Sequence, residues 1–192
     1  LAAEASIGDE ALLRRAVEGD DSAFSALVRR HEDRIFSLCL RMMRERSDAF
    51  DATQETFLML FRKGSTFSGD SAFSTWLYRV AVNVCNDLLR KRARTPLLER
   101  EEEAPERPDQ HDPEVSELVT MRLDLRRALQ ELPEDYREAV AMHDLGGVPY
   151  EEIAKATGVA VGTVKSRISR GRKQLARILE QPQVAEPSKE ER

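Results

Sequence analysis

Between Thr95 and Glu117 the chain cannot fold by itself, and this limits the architectures open to it. The segment holds Pro96, Pro105, Pro108 and Pro113, the run Glu101-Glu102-Glu103 and few apolar side chains. It buries too little surface to offset the entropy of ordering it, so it reads as a linker. Two small domains are therefore expected, 1–94 and 118–181, joined by an acidic Pro-rich linker over 95–117 and followed by a disordered tail over 182–192. Charge follows the same division. The 192-residue chain has a net charge of −5, which argues against a nucleic-acid binder until it is divided. Counted along the sequence, residues 1–94 are net +1, the linker −7, residues 118–181 +2 and the tail −1.

No segment alternates as a strand would, and both halves read as all-α. In the first half, Asp9 is expected to N-cap a short helix stopped by Gly19. A second helix follows Asp21, a third runs from about Asp48 to Lys63, and a fourth starts near Ser71 and ends in the basic cluster Arg90–Arg94. In the second half, Leu118, Met121, Leu125, Leu129 and Leu132 form one face, stopped by Pro133. A helix carrying Tyr136, Ala139 and Val140 stops at Gly146-Gly147, Pro149 opens the next, and a last helix starts near Val161.

Catalytic chemistry has no foothold. There is no Gly-rich phosphate loop, nucleophile elbow or metal-ligand spacing, so no enzyme, cofactor, metal or small-molecule substrate is expected. His31 falls on an apolar face and reads as a satisfied core histidine. Cys39 and Cys85 lie on apolar stripes and read as buried thiols. No apolar run approaches roughly 18 residues, and Leu1–Glu18 has no signal core, so a cytoplasmic protein without membrane insertion is expected.

The sharpest local signal is the set Ala154, Gly158 and Val164. Alanine lets two helices approach, glycine takes a left-handed turn, and valine is buried where the helices cross; this is helix-turn-helix spacing. The hydrophobic position three residues after Val164 holds Arg167, with Ile168 beside it. From Gly162 to Arg177 the last helix carries Lys165, Arg167, Arg170, Arg172, Lys173 and Arg177 and no acid, with Thr163, Ser166 and Ser169 among them. Such a face suits phosphates and base edges in a major groove. A stand-alone regulator binding duplex DNA would explain this half but leave two features of the first half idle.

Those features are a helix and a loop. The third helix starts with Asp51, Gln54 and Glu55 and continues as Phe57-Leu58-Met59-Leu60-Phe61, apolar on all sides; it is covered by its own bundle or by a partner. The loop Phe67-Ser68-Gly69-Asp70-Ser71-Ala72-Phe73 precedes a helix whose polar face bears Arg79, Asn83, Asn86 and Arg90. This face is either a solvated surface or a reader of nucleic acid, with Phe67 and Tyr78 free to stack on unpaired bases.

Two strings at this separation, FSGDSAFSTWLYRVAVN over Phe67–Asn83 and LPEDYREAV…LGGVPYEEIAKATGVAVGTVKSRISRGRKQL over Leu132–Leu175, resemble the extracytoplasmic-function (ECF) sigma factors of the sigma-70 family, especially the envelope-stress type. The resemblance covers roughly residues 9–179. It implies that Asp51, Gln54, Glu55 and Phe57 dock on the β′ clamp helices of core RNA polymerase, which is also contacted through its β subunit. It implies that the loop pockets a flipped base of the −10 element, with Phe67, Asp70, Ser71, Ala72, Phe73, Arg79 and Asn83 as DNA contacts. Thr163, Lys165, Ser166, Arg167, Arg170 and Lys173 would enter the −35 major groove. The linker would thread near the active-site cleft, an anti-sigma factor would hold the protein inactive, and the polymerase would perform the chemistry. The chain departs from the family at Phe50 and Ala52, where the docking helix usually carries an acid and a leucine.

Overall fold

The computed structural model describes residues 7–43, 45–94, 121 and 124–180. The linker and tail expectations fall outside these residues. Among the described residues every regular element is helical. The first half contains α1 (Asp9–Val17), α2 (Asp21–Met42), α3 (Arg46–Lys63) with a 3-10 turn over Gly64–Thr66, and α4 (Phe73–Arg94). The second half contains α5 over 124–131, α6 (Glu134–Val140) running into a π-helical turn (Ala141–Leu145), α7 (Tyr150–Thr157) and α8 (Val161–Glu180).

Local chemistry sets the helix ends. Asp20 N-caps α2, accepting the N–H groups of Ser22 at 3.0 Å and Ala23 at 3.1 Å. Its bonds from the Ser22 side chain and from Arg15 hold the carboxyl far below the usual carboxylate range. Asp9 does not cap α1 as expected; Gly8 occupies that position. Asp9 instead ties α1 to α2, its Oδ2 lying 2.9 Å from His31 Nε2 while Arg30 pairs with the other oxygen. The α3 helix starts two residues before Asp48, and Asp48, buried in its first turn, is paired with Arg92 from α4. Burial raises the Asp48 carboxyl above its ordinary value, with Arg92 opposing that shift.

Leu12, Leu27, Ile35, Leu38, Met42, Leu60 and Leu77 fill the core of the first bundle. Cys39 and Cys85 are both fully buried in it. A hydrogen bond with Cys39, together with burial, pushes the Cys85 thiol well up. In the second half, Gly158 closes α7 with φ +70°, and Ala154 and Val164 are buried at the crossing of α7 and α8. Gly171 lets α8 lie directly on α6: a Cβ there would sit 2.7 Å from Val140 Cγ2 and 3.4 Å from the Tyr136 Cβ. Arg137 clasps the end of α5, donating to the carbonyls of Leu129 at 3.0 Å, Gln130 at 2.9 Å and Leu132 at 2.8 Å.

The two halves are packed together. One apolar core runs from the first bundle through Ala139, Met142, Val148 and Ile153 to Val164 and Ile168. Polar bonds cross the same boundary. Arg137 donates to Asn86 Oδ1 at 2.9 Å, Arg41 to the Leu145 carbonyl at 3.1 Å, and Gln130 Nε2 to the Met42 carbonyl at 3.3 Å.

Candidate nucleic-acid interface

The α8 helix presents the cationic face that the sequence indicates. Val164, Ile168, Gly171 and Leu175 are buried, which turns Lys165, Ser169, Arg170, Lys173 and Arg177 outward. No carboxylate among the described residues pairs with Arg170, Lys173 or Arg177. Thr163 and Ser166 are half-buried at the start of this face, the Ser166 hydroxyl donating to the Thr163 carbonyl at 2.9 Å. Lys165 Nζ sits over the Tyr150 ring, 5.6 Å from its centroid. Arg167 stands apart: Ile168 takes the inward position, and Arg167 is held sideways by Asp135 at 2.6 Å.

The α3 helix divides differently from the expectation. Asp51 and Gln54 are exposed, and Glu55 is half-buried, 3.6 Å from Arg62. Phe57, expected to dock, is buried (9% exposed) and supports the helix from beneath, as does Ala52. The apolar side chains on the outer face are Phe50 at 56%, Leu58 at 46% and Phe61 at 66% exposure, with Phe24 meeting Phe61 edge-on. Leu58 and Phe61 cannot be told from Phe57 in sequence because an all-apolar run has no phase, and Phe50, outside that run, stands out only as a departure from the family pattern. Asp51 and Gln54, being polar, set the phase once the inner side is known. An outer face with three large apolar groups among acids is unusual for an unpartnered helix.

The loop before α4 is anchored by aromatic rings. Phe67 meets Phe73 at 5.9 Å and Trp76 at 5.7 Å between centroids, both edge-on. Phe73 is buried, so it shapes the loop from below and has no face to offer a base in this arrangement. Asp70 and Ala72 are exposed, Ser71 is half-buried, and Asp70 accepts the Ser68 hydroxyl. Along α4, Asn83 is exposed. Arg79 is covered by the second half: it donates to the Ala156 carbonyl, and its Nε lies 3.6 Å from Glu138 Oε1. Burial raises the Glu138 carboxyl, with Arg79 and Arg167 opposing. Asn86, which the polar face was expected to expose, is 1% exposed under Arg137.

Two family models match this chain, Sigma-70 region 2 over residues 27–95 and Sigma-70, region 4 over residues 122–175. The chain is 36% identical over 176 residues to an ECF RNA polymerase sigma-E factor of Haemophilus influenzae, covering 87% of this chain and 93% of that one. This chain is an ECF sigma factor of the sigma-70 family. It is also 39% identical over 166 residues to the ECF RNA polymerase sigma factor SigE of Mycolicibacterium smegmatis, covering 82% of this chain but only 63% of that protein. A solved structure of CnrH in complex with the cytosolic domain of CnrY shares the fold, with a TM-score of 0.65 at 24% identity, covering 89% of this chain and 96% of that one. The region 2 match takes in most of α2, α3 and α4, and the region 4 match takes in α5 to most of α8. As a sigma factor the chain directs promoter-specific initiation of transcription. Among the described residues no helix is long and apolar enough to cross a membrane.

Proposed function

We propose that residues 1–94 recognise and melt the −10 element while docked on core RNA polymerase, and that residues 118–181 read the −35 element. The observation that carries this is the presence of two chemically different recognition surfaces in one chain. One is an acid-free cationic helix, α8, suited to a duplex groove. The other is an aromatic-anchored loop followed by the Arg79 and Asn83 face of α4, suited to an unpaired strand. On the polymerase side, Asp51, Gln54 and Glu55 supply charge and hydrogen bonds, and Phe50, Leu58 and Phe61 supply the buried contact. Phe50, a departure from the family pattern, then adds apolar area at the rim of the docking face.

Each surface alone makes few phosphate contacts and binds weakly. Tethered on one polymerase by the linker over 95–117, the second contact becomes intramolecular and gains effective concentration. The polymerase supplies the chemistry, and this chain supplies position. The partners are core RNA polymerase, promoter DNA and an anti-sigma factor, the last supported by a solved structure of similar fold, the sigma factor RpoE in complex with the anti-sigma factor NepR from Bartonella quintana. The place of action is the cytoplasm, where the polymerase is.

In the packed arrangement the two surfaces are unequal. The outer face of α8 is open, while Ala72, Arg79 and Asn86 of region 2 are engaged by region 4. The −10 function therefore requires the halves to separate. Run-off transcription with core polymerase on a pool of promoter fragments tests the reading. Specific transcripts that appear only with this chain are expected. Tight duplex binding without transcripts would favour a stand-alone regulator and overturn it.

A further inference from the structure

The α1 helix (Asp9–Val17) precedes the span that matches region 2, which begins at residue 27. It nevertheless reaches both ends of the loop over Phe67–Phe73. At the upstream end, Leu13 and Val17 close on Gly64, where the 3-10 turn leading into the loop begins. A Cβ at Gly64 would sit 3.0 Å from Leu13 Cδ1 and 3.5 Å from Val17 Cγ2. Phe67 N–H donates to the Gly64 carbonyl at 3.2 Å, so this turn sets where the loop starts. At the downstream end the link runs through a histidine. Asp9 Oδ2 lies 2.9 Å from His31 Nε2. The carboxylate can only accept, so the imidazole donates through Nε2. The His31 ring then meets Phe73 edge-on, with centroids 5.4 Å apart. His31 is 5% and Phe73 3% exposed, so neither ring can turn without displacing the other. Between these anchors Ser68, Gly69 and Asp70 are exposed, and Gly69 has φ +80°. A cleft of about 470 Å³ separates this stretch from Leu13, Arg14 and Val17 of α1. The loop is thus fixed at both ends and open in the middle.

We infer that α1 braces this loop, and that Asp9 and His31 are positioning residues that hold it ready for a flipped −10 base without touching the DNA. This rests on the −10 reading of region 2 and adds to it two residues outside the recognition surface. A loop that had to be ordered at the moment of capture would bind its base more weakly and discriminate less, because the ordering entropy is then charged to binding. A hydrocarbon at position 31 would fill the same space but leave the ring plane unset. The bond to Asp9 fixes that plane, and the edge-on contact passes it to Phe73, the last residue of the loop. Arg30, paired with the other Asp9 oxygen, holds the carboxylate in place.

The test uses holoenzyme assembled from core polymerase and the full chain, on a promoter located by run-off transcription. Each −10 position is substituted in turn, and the ratio of transcripts from native and substituted promoters gives the discrimination there. The flipped position is the one where 2-aminopurine brightens on open-complex formation. Asp9→Ala removes the acceptor and is expected to lower discrimination at the flipped position about fivefold, the scale of one hydrogen bond, with −35 discrimination and core affinity unchanged. Asp9→Asn keeps an oxygen for His31 but not the charge, and is expected to keep most of the discrimination. His31→Phe fills the same space without the donor and is expected to lose as much as Asp9→Ala. Unchanged discrimination in Asp9→Ala and His31→Phe overturns the inference. So does an equal loss of transcript from every promoter, which marks a purely structural role. Equal losses in Asp9→Asn and Asp9→Ala overturn the link through His31. If the wild-type holoenzyme discriminates at no −10 position, the −10 reading itself fails, which is a distinct result.

Discussion

Replacing Arg137 by alanine separates what holds region 4 together from what holds the two halves together. Its guanidinium makes four bonds. Three go to the carbonyls that end α5 and one to Asn86 Oδ1 in region 2. Desolvation lowers the Arg137 pKa, a sign that the charge is partly removed from water. The group is only half-buried, so the freed carbonyls regain some hydration, and about 1 kcal/mol per bond is the appropriate scale. The three bonds within region 4 then contribute about 3 kcal/mol. For a domain of this size that corresponds to a fall of roughly 12–24 °C in melting temperature. Asn86→Ala removes only the bond between halves and is expected to cost about 1 kcal/mol, with a small change in melting. Thermal unfolding followed by circular dichroism reads both. Arg137→Lys keeps the charge but loses the fork and is expected to recover less than half of the loss. Equal effects of Arg137→Ala and Asn86→Ala would refute the assignment of Arg137 to the α5 clasp.

Gly171→Ala places a methyl 2.7 Å from Val140 Cγ2 and is expected to cost about 1–3 kcal/mol, read by chemical denaturation. Phe61→Ala and Phe50→Ala are expected to weaken core-polymerase binding by about 1–2 kcal/mol each while leaving the melting temperature unchanged, since both rings are more than half exposed. Arg170→Ala is expected to cost about 1–3 kcal/mol and to relax the −35 preference at one position; a uniform loss across −35 sequences would mark it as a phosphate clamp. The free chain is expected to bind a −35 duplex more readily than a −10 single strand, because α8 is open and the α4 face is not; fluorescence anisotropy with the two DNAs checks this.

Helix type and order were legible because the apolar stripes of α2, α4 and α8 carry a clear 3.6-residue phase. The turn at Gly158 was legible because only one residue type takes positive φ cheaply. The outer face of α3 was not. Five consecutive apolar residues have no phase, and the burial of Phe57 rather than Phe61 is decided by α2 and α4 packing against its inner side. Asp9 misled as a cap because it also suits a partner for His31, 22 residues further along the chain, a long-range bond that local patterning does not carry. The covering of Arg79 and Asn86 was illegible for the same reason. An arginine and an asparagine on a polar helix face look alike whether they meet water, DNA or a second domain, and only the fold brings Glu138, Arg137 and Ala156 against them.

The most direct measurement is the distance between the halves during initiation. Donor and acceptor dyes at S25C and A176C sit on exposed positions of α2 and α8, and the native Cys39 and Cys85 are buried from labelling. High transfer efficiency is expected in the free chain, falling when core polymerase and promoter are added and transcription starts. An efficiency that stays unchanged in complexes that initiate would contradict the account, because the −10 face would then be working while region 4 still covers it.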